Sequence, residues 1–337
     1  MPSDETFLIV TTMKNEGPFM LDWVAYNRGI GFDDIIIYSN DCSDGTDLIG
    51  DRLQALGLAW HVPNPVGPRA TPQNRAHRRV KDHPRFQSAD WVMSLDVDEY
   101  INFRGDVRDL REFVRTAGEA DAISISWKMF GNGGIDHFTD APVPEQFLQT
   151  TQEHHYPNYK TRGIKTLFRN NGKFNRFRAH RPRIDPSHAA QPDAPYDGVI
   201  WRDAGGQLVD PASVNWKVWR GFRHTHARIH HYAVRSTDSF LVKRDRGRTN
   251  HVGQDQGLSY WQDMNHNDTT DDSIKRHLPK MHQIKHDMLQ DAQLAALHAQ
   301  ACQWHSAKAA ELKARPDWSE LVAALYGQGK GQTSDDR

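Results

Sequence analysis

The first hundred residues alternate between short apolar runs and segments whose apolar positions recur at helical spacing. The apolar runs cover residues 7–12, 34–39, 58–62 and 90–95. The helical segments between them cover residues 19–30, 47–56 and 74–81. Short apolar runs rich in β-branched residues are typical of strands buried on both faces of a parallel sheet. The β-α-β-α-β-α-β order therefore predicts a mainly parallel sheet covered by helices.

The pattern becomes less regular after residue 100. Residues 130–211 lose periodicity and are rich in Gly, Pro, Asn and Arg, so we interpret them as long loops around a ligand site. Helices are predicted over 107–117, 236–246 and 284–325, and strands over 121–127, 164–169 and 227–234. We divide the chain into a main domain over 1–280, a helical appendage over 281–326 and a disordered tail over 327–337.

Charge and hydropathy exclude several classes of protein. The 42 Lys and Arg residues nearly cancel the 43 Asp and Glu residues, so no overall field favours nucleic acid. The mean hydropathy is −0.75, and no apolar stretch is long enough to span a bilayer. The polar start lacks the features of a signal peptide. We expect a cytoplasmic protein, with peripheral contact at the inner membrane left open.

Two acidic residues follow the apolar run at 90–95 directly. Asp96 and Asp98 are two positions apart, so in extended backbone both side chains point to one side while Glu99 points away. Mg²⁺ and Mn²⁺ prefer carboxylate oxygens and keep open positions for phosphate oxygens. The carboxyl ends of parallel strands are also where open α/β sheets bind ligands. The alternative is a plain acidic turn.

Several sequence blocks resemble one enzyme family. These blocks are Thr11-Thr12-Met13-Lys14-Asn15-Glu16, the loop 39–46, the strand and acidic cluster 91–100, and the segments 229–236 and 240–247. Together they resemble the family-2-type glycosyltransferases, and within them the bacterial branch related to family 92. The resemblance covers most of residues 6–280. It implies the GT-A fold, which is an α/β, Rossmann-like fold with a mainly parallel sheet flanked by helices, here with a helical C-terminal appendage.

The resemblance also implies ligands and roles for individual residues. It implies transfer from a nucleotide-sugar, with UDP the commonest nucleotide, to a glycan or lipid-linked saccharide acceptor, and a Mn²⁺ or Mg²⁺ cofactor. Asp96 and Asp98 are expected to bind metal and diphosphate, with His231 as third ligand. The residues expected near the nucleotide or its phosphates are Thr11, Asn15, Glu16, Asp41, Gln73, Arg75, Lys165, Lys243 and Arg246. His180 is expected to line the acceptor cleft.

The implied reaction inverts the anomeric carbon and needs a carboxylate base. The candidates for that base are Asp255, Asp263, Asp271 and Asp272. Asp272 aligns best with the relatives, and Asp255 is the second choice. The pair Asp271-Asp272 is equally typical of a helix N-cap. We expect Asp44 to be either a cap or a ligand.

Three alternatives remain open at the level of sequence. A nucleotidyltransferase also holds Mg²⁺ with paired carboxylates, although its Gly-rich, Arg- and Lys-bearing loop after the first strand is absent here. A non-catalytic module that binds nucleotide or glycan would use the same fold. The 19 His residues allow a metal hydrolase, which needs several His and Asp ligands in one site.

Overall fold

The computed structural model describes residues 5–67, 71–153, 155–188, 198–247 and 257–327. Its strands are β1 Phe7–Met13, β2 Asp34–Ser39, β3 Trp60–Pro63, β4 Trp91–Ser94, β5 Glu99–Phe103, β6 Ala122–Met129, β7 Gln149–Thr150, β8 Ile164–Arg169, β9 Phe174–Arg176, β10 Arg183–Ile184, β11 Trp201–Asp203, β12 Leu208–Val209, β13 Ala227–His231 and β14 Thr269–Thr270. Its helices are α1 Gly17–Gly29, α2 Thr46–Ala55, α3 Pro72–Arg79, α4 Pro84–Ser88, α5 Leu110–Ala117, α6 Val143–Gln146, α7 Thr237–Arg246, α8 Leu258–Met264, α9 Leu278–Met288, α10 Ala292–Ala314 and α11 Ser319–Gly327.

One large sheet organises the fold. Within the described ranges its strand order is β12-β11-β6-β8-β4-β1-β2-β3, and β13 joins it by pairing with β6 and β5. The pairs among β1, β2, β3 and β4 are parallel, whereas β8 runs antiparallel to both of its neighbours. The predicted class is confirmed, because the sheet is mainly parallel and helices flank it.

The central strands of this sheet are buried on both faces, and β1, β2 and β4 are mainly apolar. Every position of β1, β4, β5, β6 and β13 is buried. Helix α1 is fastened to β5 by two side chains, since Trp23 and Tyr26 donate hydrogen bonds of 3.1 and 2.7 Å to the carbonyls of Glu99 and Ile101. These two bonds fix β5, and with it the end of the acidic segment between β4 and β5, against α1.

The C-terminal helices pack against the body of the fold. Helix α9 lies on α1, and α10 contacts α1, α2 and α7. A Cβ atom on Gly17 would lie 2.8 Å from the Cβ of Ala301, so α10 touches the first residue of α1. The predicted domain boundary at residue 280 falls inside α9. None of the described helices combines the length and the apolar composition that crossing a membrane requires.

Two local features differ from the sequence prediction. Strand β5, over Glu99–Phe103, had no counterpart in the pattern analysis. The segment predicted as extended at Asp96–Asp98 is a tight turn between β4 and β5, because the amide of Glu99 donates a 3.0 Å bond to the carbonyl of Asp96. Glu99 lies apart from Asp98, as expected, but its carboxylate accepts the amide of Asp96, which extended backbone would not allow.

Candidate active site

The loops that follow β1, β2 and β13 contain unusual backbone conformations. Asn15, Asp41 and Arg235 have φ angles of 51°, 47° and 55°. Residues with a side chain seldom occupy this left-handed region, and those that do cluster at functional sites. The carboxyl ends of β1 and β4 are adjacent in the sheet. The polar residues that follow these strands therefore lie at a common edge, next to the strained positions.

Lys165, on β8, bridges two carboxylates of the acidic turn. Its ammonium lies 2.8 Å from Asp96 Oδ2 and 3.2 Å from Glu99 Oε2, and its side chain is fully buried. Glu99 Oε2 also accepts the Asp96 amide at 2.9 Å. The predicted residue Lys165 is thus in the cluster, where it neutralises carboxylates.

Burial and the contact with Lys165 shift the pKa values of Asp96 and Glu99 in opposite directions. Burial raises the pKa of Glu99 to about 8, which Lys165 opposes only in part. It also acts to raise the pKa of Asp96, but there the nearby Lys165 prevails and the pKa lies below its usual value. Asp96 is therefore ionised at neutral pH, while Glu99 holds a proton in most molecules. The buried Glu99 Oε1 has no hydrogen-bond partner and is free to carry that proton.

Asp98 forms a second charged group with residues from β13 and α7. Lys243 donates to Asp98 Oδ2 at 2.7 Å and to the Ala233 carbonyl at 2.7 Å. His231 Nε2 lies 3.7 Å from the same carboxylate oxygen. Although burial acts to raise its pKa, Lys243 and His231 hold the pKa of Asp98 well below the usual range. Asp98 is a permanent anion at working pH.

The pair Asp98 and His231 fits a divalent cation. Metal–ligand distances of about 2.0–2.2 Å place two ligands of one ion roughly 3–4 Å apart, and the 3.7 Å separation lies in this range. His231 Nδ1 is buried without a hydrogen-bond partner, so the structure fixes no tautomer and leaves Nε2 free to ligate. An oxygen and nitrogen donor set suits Mn²⁺. Within the described residues Asp96, Asp98 and His231 do not bring three ligand atoms within 4.8 Å of one another. A cation bound by Asp98 and His231 would also have to displace the Lys243 ammonium, which lies 2.7 Å from the same Asp98 oxygen.

Glu16, predicted to lie near the base, is instead enclosed by two arginines. Arg235 Nη1 lies 2.8 Å from Glu16 Oε2, and Arg246 pairs with the other oxygen. Arg235 also donates to the Val97 carbonyl at 3.2 Å, in the centre of the acidic turn. Arg246 contacts the Lys14 carbonyl in the loop after β1. This network joins that loop to the acidic turn and to α7.

The two loops expected to hold the nucleotide bind each other. Asn15 Oδ1 accepts the Ser43 amide at 2.8 Å, and the side chain of Asp41 is exposed beside them. Thr11 Oγ1 is buried without a partner. Asp44 is a cap, because its two oxygens accept the amides of Gly17 and Thr46 at 2.8 and 2.9 Å.

Helix α3 contributes Gln73, whose amide nitrogen lies 3.2 Å from Asp96 Oδ1. The side chain of Arg75, from the same helix, is partly buried, with an unpartnered Nε. Beside α3 opens a cleft of about 960 Å³. Its lining residues are Thr71, Asn74, His77, Arg78, Arg176, Phe177, Arg178, Ala179, His180, Arg181, Val214, Asn215 and Trp216. The sequence prediction for His180 placed it at such a cleft.

Comparisons with known proteins add to this geometry. No model of a protein family matches the chain. A glycosyltransferase family 92 protein from Ricinus communis is 25% identical over 133 residues, which are 38% of this chain and 23% of that protein. One from Oryza sativa subsp. japonica is 25% identical over 97 residues, 29% of this chain and 16% of that protein. This chain thus spans less than a quarter of the length of these curated relatives.

The chain is related to the family-92 glycosyltransferases. Among solved structures, S. aureus TarS is 12% identical and aligns with 45% of this chain and 24% of its own, at a TM-score of 0.29. HddC from Yersinia pseudotuberculosis is 12% identical over 49% of this chain and 77% of its own, at a TM-score of 0.28. The fold assignment above depends on the strand order and not on these superpositions.

Asp272 and Asp271, two of the predicted bases, form contacts outside the Asp98 group. Asp272 is exposed, and its contact is Lys275 at 3.5 Å. Asp271 accepts the Ser273 amide at 2.9 Å, as a cap does, and pairs with Lys128 at 2.6 Å. Lys128 lies opposite His230 in the pairing of β6 with β13, so it is on the face away from His231. The structure does not bring Asp272 to Asp98.

Two other candidates for the base complete the set. Asp263 pairs with Lys160, and the carbonyl of Asp263 accepts the side chain of Asn158 at 2.9 Å. Asp255 lies outside the described residues.

The flanking helices α7 and α8 each carry a residue next to the cluster, since the Lys243 ammonium lies 5.9 Å from the ring of Tyr260.

The sequence pattern assigned no role to two residues that the structure places at or beside the site, Arg235 and His77. Arg235 was included in a matching block without a role, yet it joins Glu16 to the acidic turn. His77 lines the cleft and contacts Ser94 at 3.3 Å. Burial and the nearby Lys165 lower the pKa of His77 to about 3, so it is neutral. The only available signal for His77 was its place on the basic helix that carries Gln73 and Arg75.

A separate group of possible metal ligands shares no residue with the cluster. Asp140, His298 and Cys302 each offer a ligand atom, and these atoms lie within 4.8 Å of one another. His298 Nε2 is 3.0 Å from Asp140, and the Lys285 ammonium is 3.8 Å from the same carboxylate. We interpret this group as an ion pair that fastens α10.

Proposed function

We propose that this chain is a metal-dependent glycosyltransferase that moves a sugar from a nucleotide-sugar, with UDP as nucleotide, to a hydroxyl acceptor with inversion. The observation that carries the proposal is the Asp98–His231 pair beside Lys243, at the edge where the loops after β1 and β4 meet. The relation to family 92 supports the transfer chemistry.

The charges of the cluster suit a diphosphate bound together with a cation. Asp96, Asp98 and Glu16 are anions in the described site, and they face the cations Lys165, Lys243, Arg235 and Arg246. Glu99 adds little negative charge because its pKa is about 8. The site therefore carries a small positive excess before any metal binds. A divalent ion increases that excess and makes a diphosphate the complementary ligand.

The chain's residues would act mainly by position and charge. Asp98 and His231 would hold the cation, which as a Lewis acid supplies charge stabilisation to the departing diphosphate. Lys243 and Arg246 would bind phosphate oxygens when they release their carboxylates. Lys165 fixes the orientation of Asp96. Buried cations that are already in place need no reorganisation when negative charge develops on the leaving group, which favours catalysis.

The acceptor hydroxyl would approach from the side opposite the diphosphate. Helix α3 connects the cleft to Asp96, because Gln73 contacts that carboxylate while Asn74, His77 and Arg78 of the same helix line the cleft. An attack in line with the leaving group inverts the anomeric carbon. The hydroxyl proton then has to pass to a carboxylate within hydrogen-bond reach.

The test is a thermal-shift screen of UDP, GDP and dTDP, each with and without Mn²⁺. We expect UDP with Mn²⁺ to raise the Tm, by mass action, and UDP alone to raise it less. Asp98→Asn keeps the shape of the side chain and should remove the metal-dependent part of the shift.

The matched control is Asp106→Ala, which removes an exposed carboxylate after β5. Its metal-dependent shift should equal that of the unchanged protein. If Asp98→Asn leaves the metal-dependent shift in Tm unchanged, the proposed metal site is wrong. A metal-dependent shift without any donor turnover, tested over a panel of acceptors, would favour a binding module.

A further inference from the structure

The cleft beside α3 has a charge that the rest of the chain does not share. Four of its lining residues are arginines, namely Arg78, Arg176, Arg178 and Arg181, and no carboxylate lines it within the described residues. The chain as a whole has a formal net charge of −1. The arginines are therefore concentrated in one concave surface of a nearly neutral protein.

Three of these arginines form no ion pair among the described residues, and the fourth packs on an aromatic ring. Arg78, Arg176 and Arg178 are exposed, and none of them takes part in an ion pair among the described residues. Arg181 is half-buried and lies 5.5 Å over the ring of Trp201. Neighbouring like charges disfavour the folded state. Because the described part of the chain supplies these cations with no acidic partner, their charge is available to a ligand.

The inner wall of the cleft borders the carboxylate cluster. His180 donates a 2.9 Å hydrogen bond to the carbonyl of Ile164, and the amide of Ile164 donates a 3.0 Å bond to the carbonyl of Trp216. Ile164 precedes Lys165, which bridges Asp96 and Glu99. A molecule in the cleft would therefore reach the place where the sugar is transferred.

The size and the inner surface of the cleft suit a saccharide. Its volume of about 960 Å³ is near the upper end of the range of about 300–1,000 Å³ that small-molecule sites occupy. Trp216 lines the cleft and is partly exposed, with the Lys217 ammonium 5.3 Å from the centre of its ring, so it adds an apolar surface of the kind that packs on a sugar. Burial lowers the pKa of His77 to about 3 and that of His180 to about 4, so both are neutral hydrogen-bonding groups. The positive charge comes from the arginines alone.

We propose that this cleft binds an anionic saccharide as the acceptor, with the arginines Arg78, Arg176 and Arg178 contacting its carboxylate or phosphate groups. The proposal rests on the proposed glycosyltransferase function and adds the chemical class of the acceptor. Guanidinium groups bind carboxylate and phosphate in two-pronged geometry, which makes arginine the suitable residue for either anion.

The first experiment compares trigalacturonic acid with its trimethyl ester by calorimetry on the full chain with Mn²⁺ and UDP. The ester keeps the sugar rings but removes the charges. We expect the acid to bind at least tenfold more tightly in 50 mM salt, and the difference to shrink at 300 mM salt, because salt screens exposed charges. A phosphorylated maltotriose, compared with plain maltotriose, tests phosphate as the anionic group.

The variant Arg176→Gln/Arg178→Gln should remove most of the preference for the acid. The matched control Arg108→Gln/Arg115→Gln removes two exposed arginines next to and on α5 and should keep the preference. Equal binding of acid and ester, or a preference that both variants retain, would overturn the proposal. Binding should not change between pH 6 and pH 8, and a marked change would assign the charge to the histidines instead.

Failure of this proposal and failure of the proposed function give different results. The Mn²⁺-dependent UDP shift should be the same in the Arg176→Gln/Arg178→Gln variant and in the unchanged protein. If the UDP-induced shift in Tm is normal but the protein shows no preference for anionic saccharides, only the proposed acceptor class is wrong. An anion preference without any UDP shift would sink the glycosyltransferase function, and the cleft could then not be an acceptor site.

Discussion

Glu99 is a buried carboxyl group whose pKa is raised by burial more than it is lowered by its cationic neighbour. It is fully buried, its Oε2 lies 3.2 Å from the Lys165 ammonium, and its pKa is nevertheless raised to about 8. The desolvation of a carboxylate exceeds what one lysine, shared with Asp96, returns. The protein therefore keeps a protonated carboxyl group beside an ionised one, which is a frequent arrangement in sites that handle charge.

This arrangement predicts a dependence of stability on pH. The pKa of Glu99 is higher in the folded state than the usual 4.5, so the folded state binds more protons between these values. Its contribution is fully present below about pH 4.5 and is lost as the pH rises towards 8. Glu99→Gln cannot lose a proton. We expect the Tm of the unchanged protein to fall by a few degrees relative to Glu99→Gln between pH 6 and pH 8.5.

Asp96→Asn is the comparison for this measurement. The pKa of Asp96 is lowered, so its stabilising contribution is lost at acidic pH and not at alkaline pH. Thermal unfolding in a pH series reads out both variants. Parallel curves for Glu99→Gln and the unchanged protein from pH 6 to pH 8.5 would show that Glu99 is ionised throughout.

The two bases predicted from the sequence can be separated by activity. Asp272 is exposed and lies near Lys275, away from the cluster, so we expect Asp272→Asn to retain kcat within about twofold. We propose Asp255, the second candidate from the sequence, as the base, so Asp255→Asn should lower kcat by about 10²–10⁴, the usual contribution of a general base. Release of nucleoside diphosphate in the presence of acceptor measures both. Equal losses in the two variants would contradict this assignment.

At the scale of elements, the loop after β2 combines a structural and a binding role in neighbouring residues. Asp44 accepts the amides of Gly17 and Thr46, the first residues of α1 and α2. Asp41 is exposed, with a φ of 47°. The same short loop therefore fixes two helix N-termini and exposes the Asp41 carboxylate, which accepts a 3.3 Å bond from Asn40, beside the loop proposed to bind the nucleotide.

A pair of alanine variants should divide these roles. Asp44→Ala removes both caps and should lower the free energy of unfolding by about 1–4 kcal/mol, at about 0.5–2 kcal/mol for each cap. Asp41→Ala should leave the unfolding free energy within about 0.5 kcal/mol and weaken UDP binding several-fold. Denaturant titration and calorimetry measure the two quantities. A stability loss in Asp41→Ala, or normal UDP affinity there, would contradict the division.

The sequence pattern predicted most of the elements because the strands are short, buried and apolar. The predicted strands 34–39 and 164–169 agree with β2 and β8 at both ends. The turn at Asp96–Asp98 and strand β5 were missed because an acidic segment of this kind gives no periodic signal. Its geometry depends on the bond from the Asp96 amide to Glu99 and on Lys165, which comes from β8.

At the scale of the whole molecule, the site is assembled from distant parts of the chain. Glu16 meets Arg235 across 219 positions, and Asp98 meets Lys243 across 145. The sequence order of the motifs predicted Asp98 beside His231, and the two side chains lie 3.7 Å apart. Which cation faces which carboxylate was not predictable, because it follows from the order of β4, β8, β6 and β13 in the sheet.

Deletion of the C-terminal helices tests whether they belong to the same folding unit as the central sheet. Leu294, Ala301 and Leu312 of α10 are buried. Removal of residues 289–337 would expose the surfaces of α1, α2 and α7 that α10 covers. We expect that shortened chain to lose cooperative thermal unfolding, whereas removal of residues 328–337 should leave the Tm unchanged. Cooperative unfolding near the original Tm after the longer deletion would make the helices a separate appendage.

The contact between Gly17 and Ala301 has a consequence for the evolution of this chain. Residue 17 begins α1, directly after Glu16 and its two arginines, and the space for any larger side chain there is taken by α10. A helix imported from a relative with bulkier residues at this crossing would displace the glutamate. Successful chimeras must therefore exchange position 17 together with the helix that covers it.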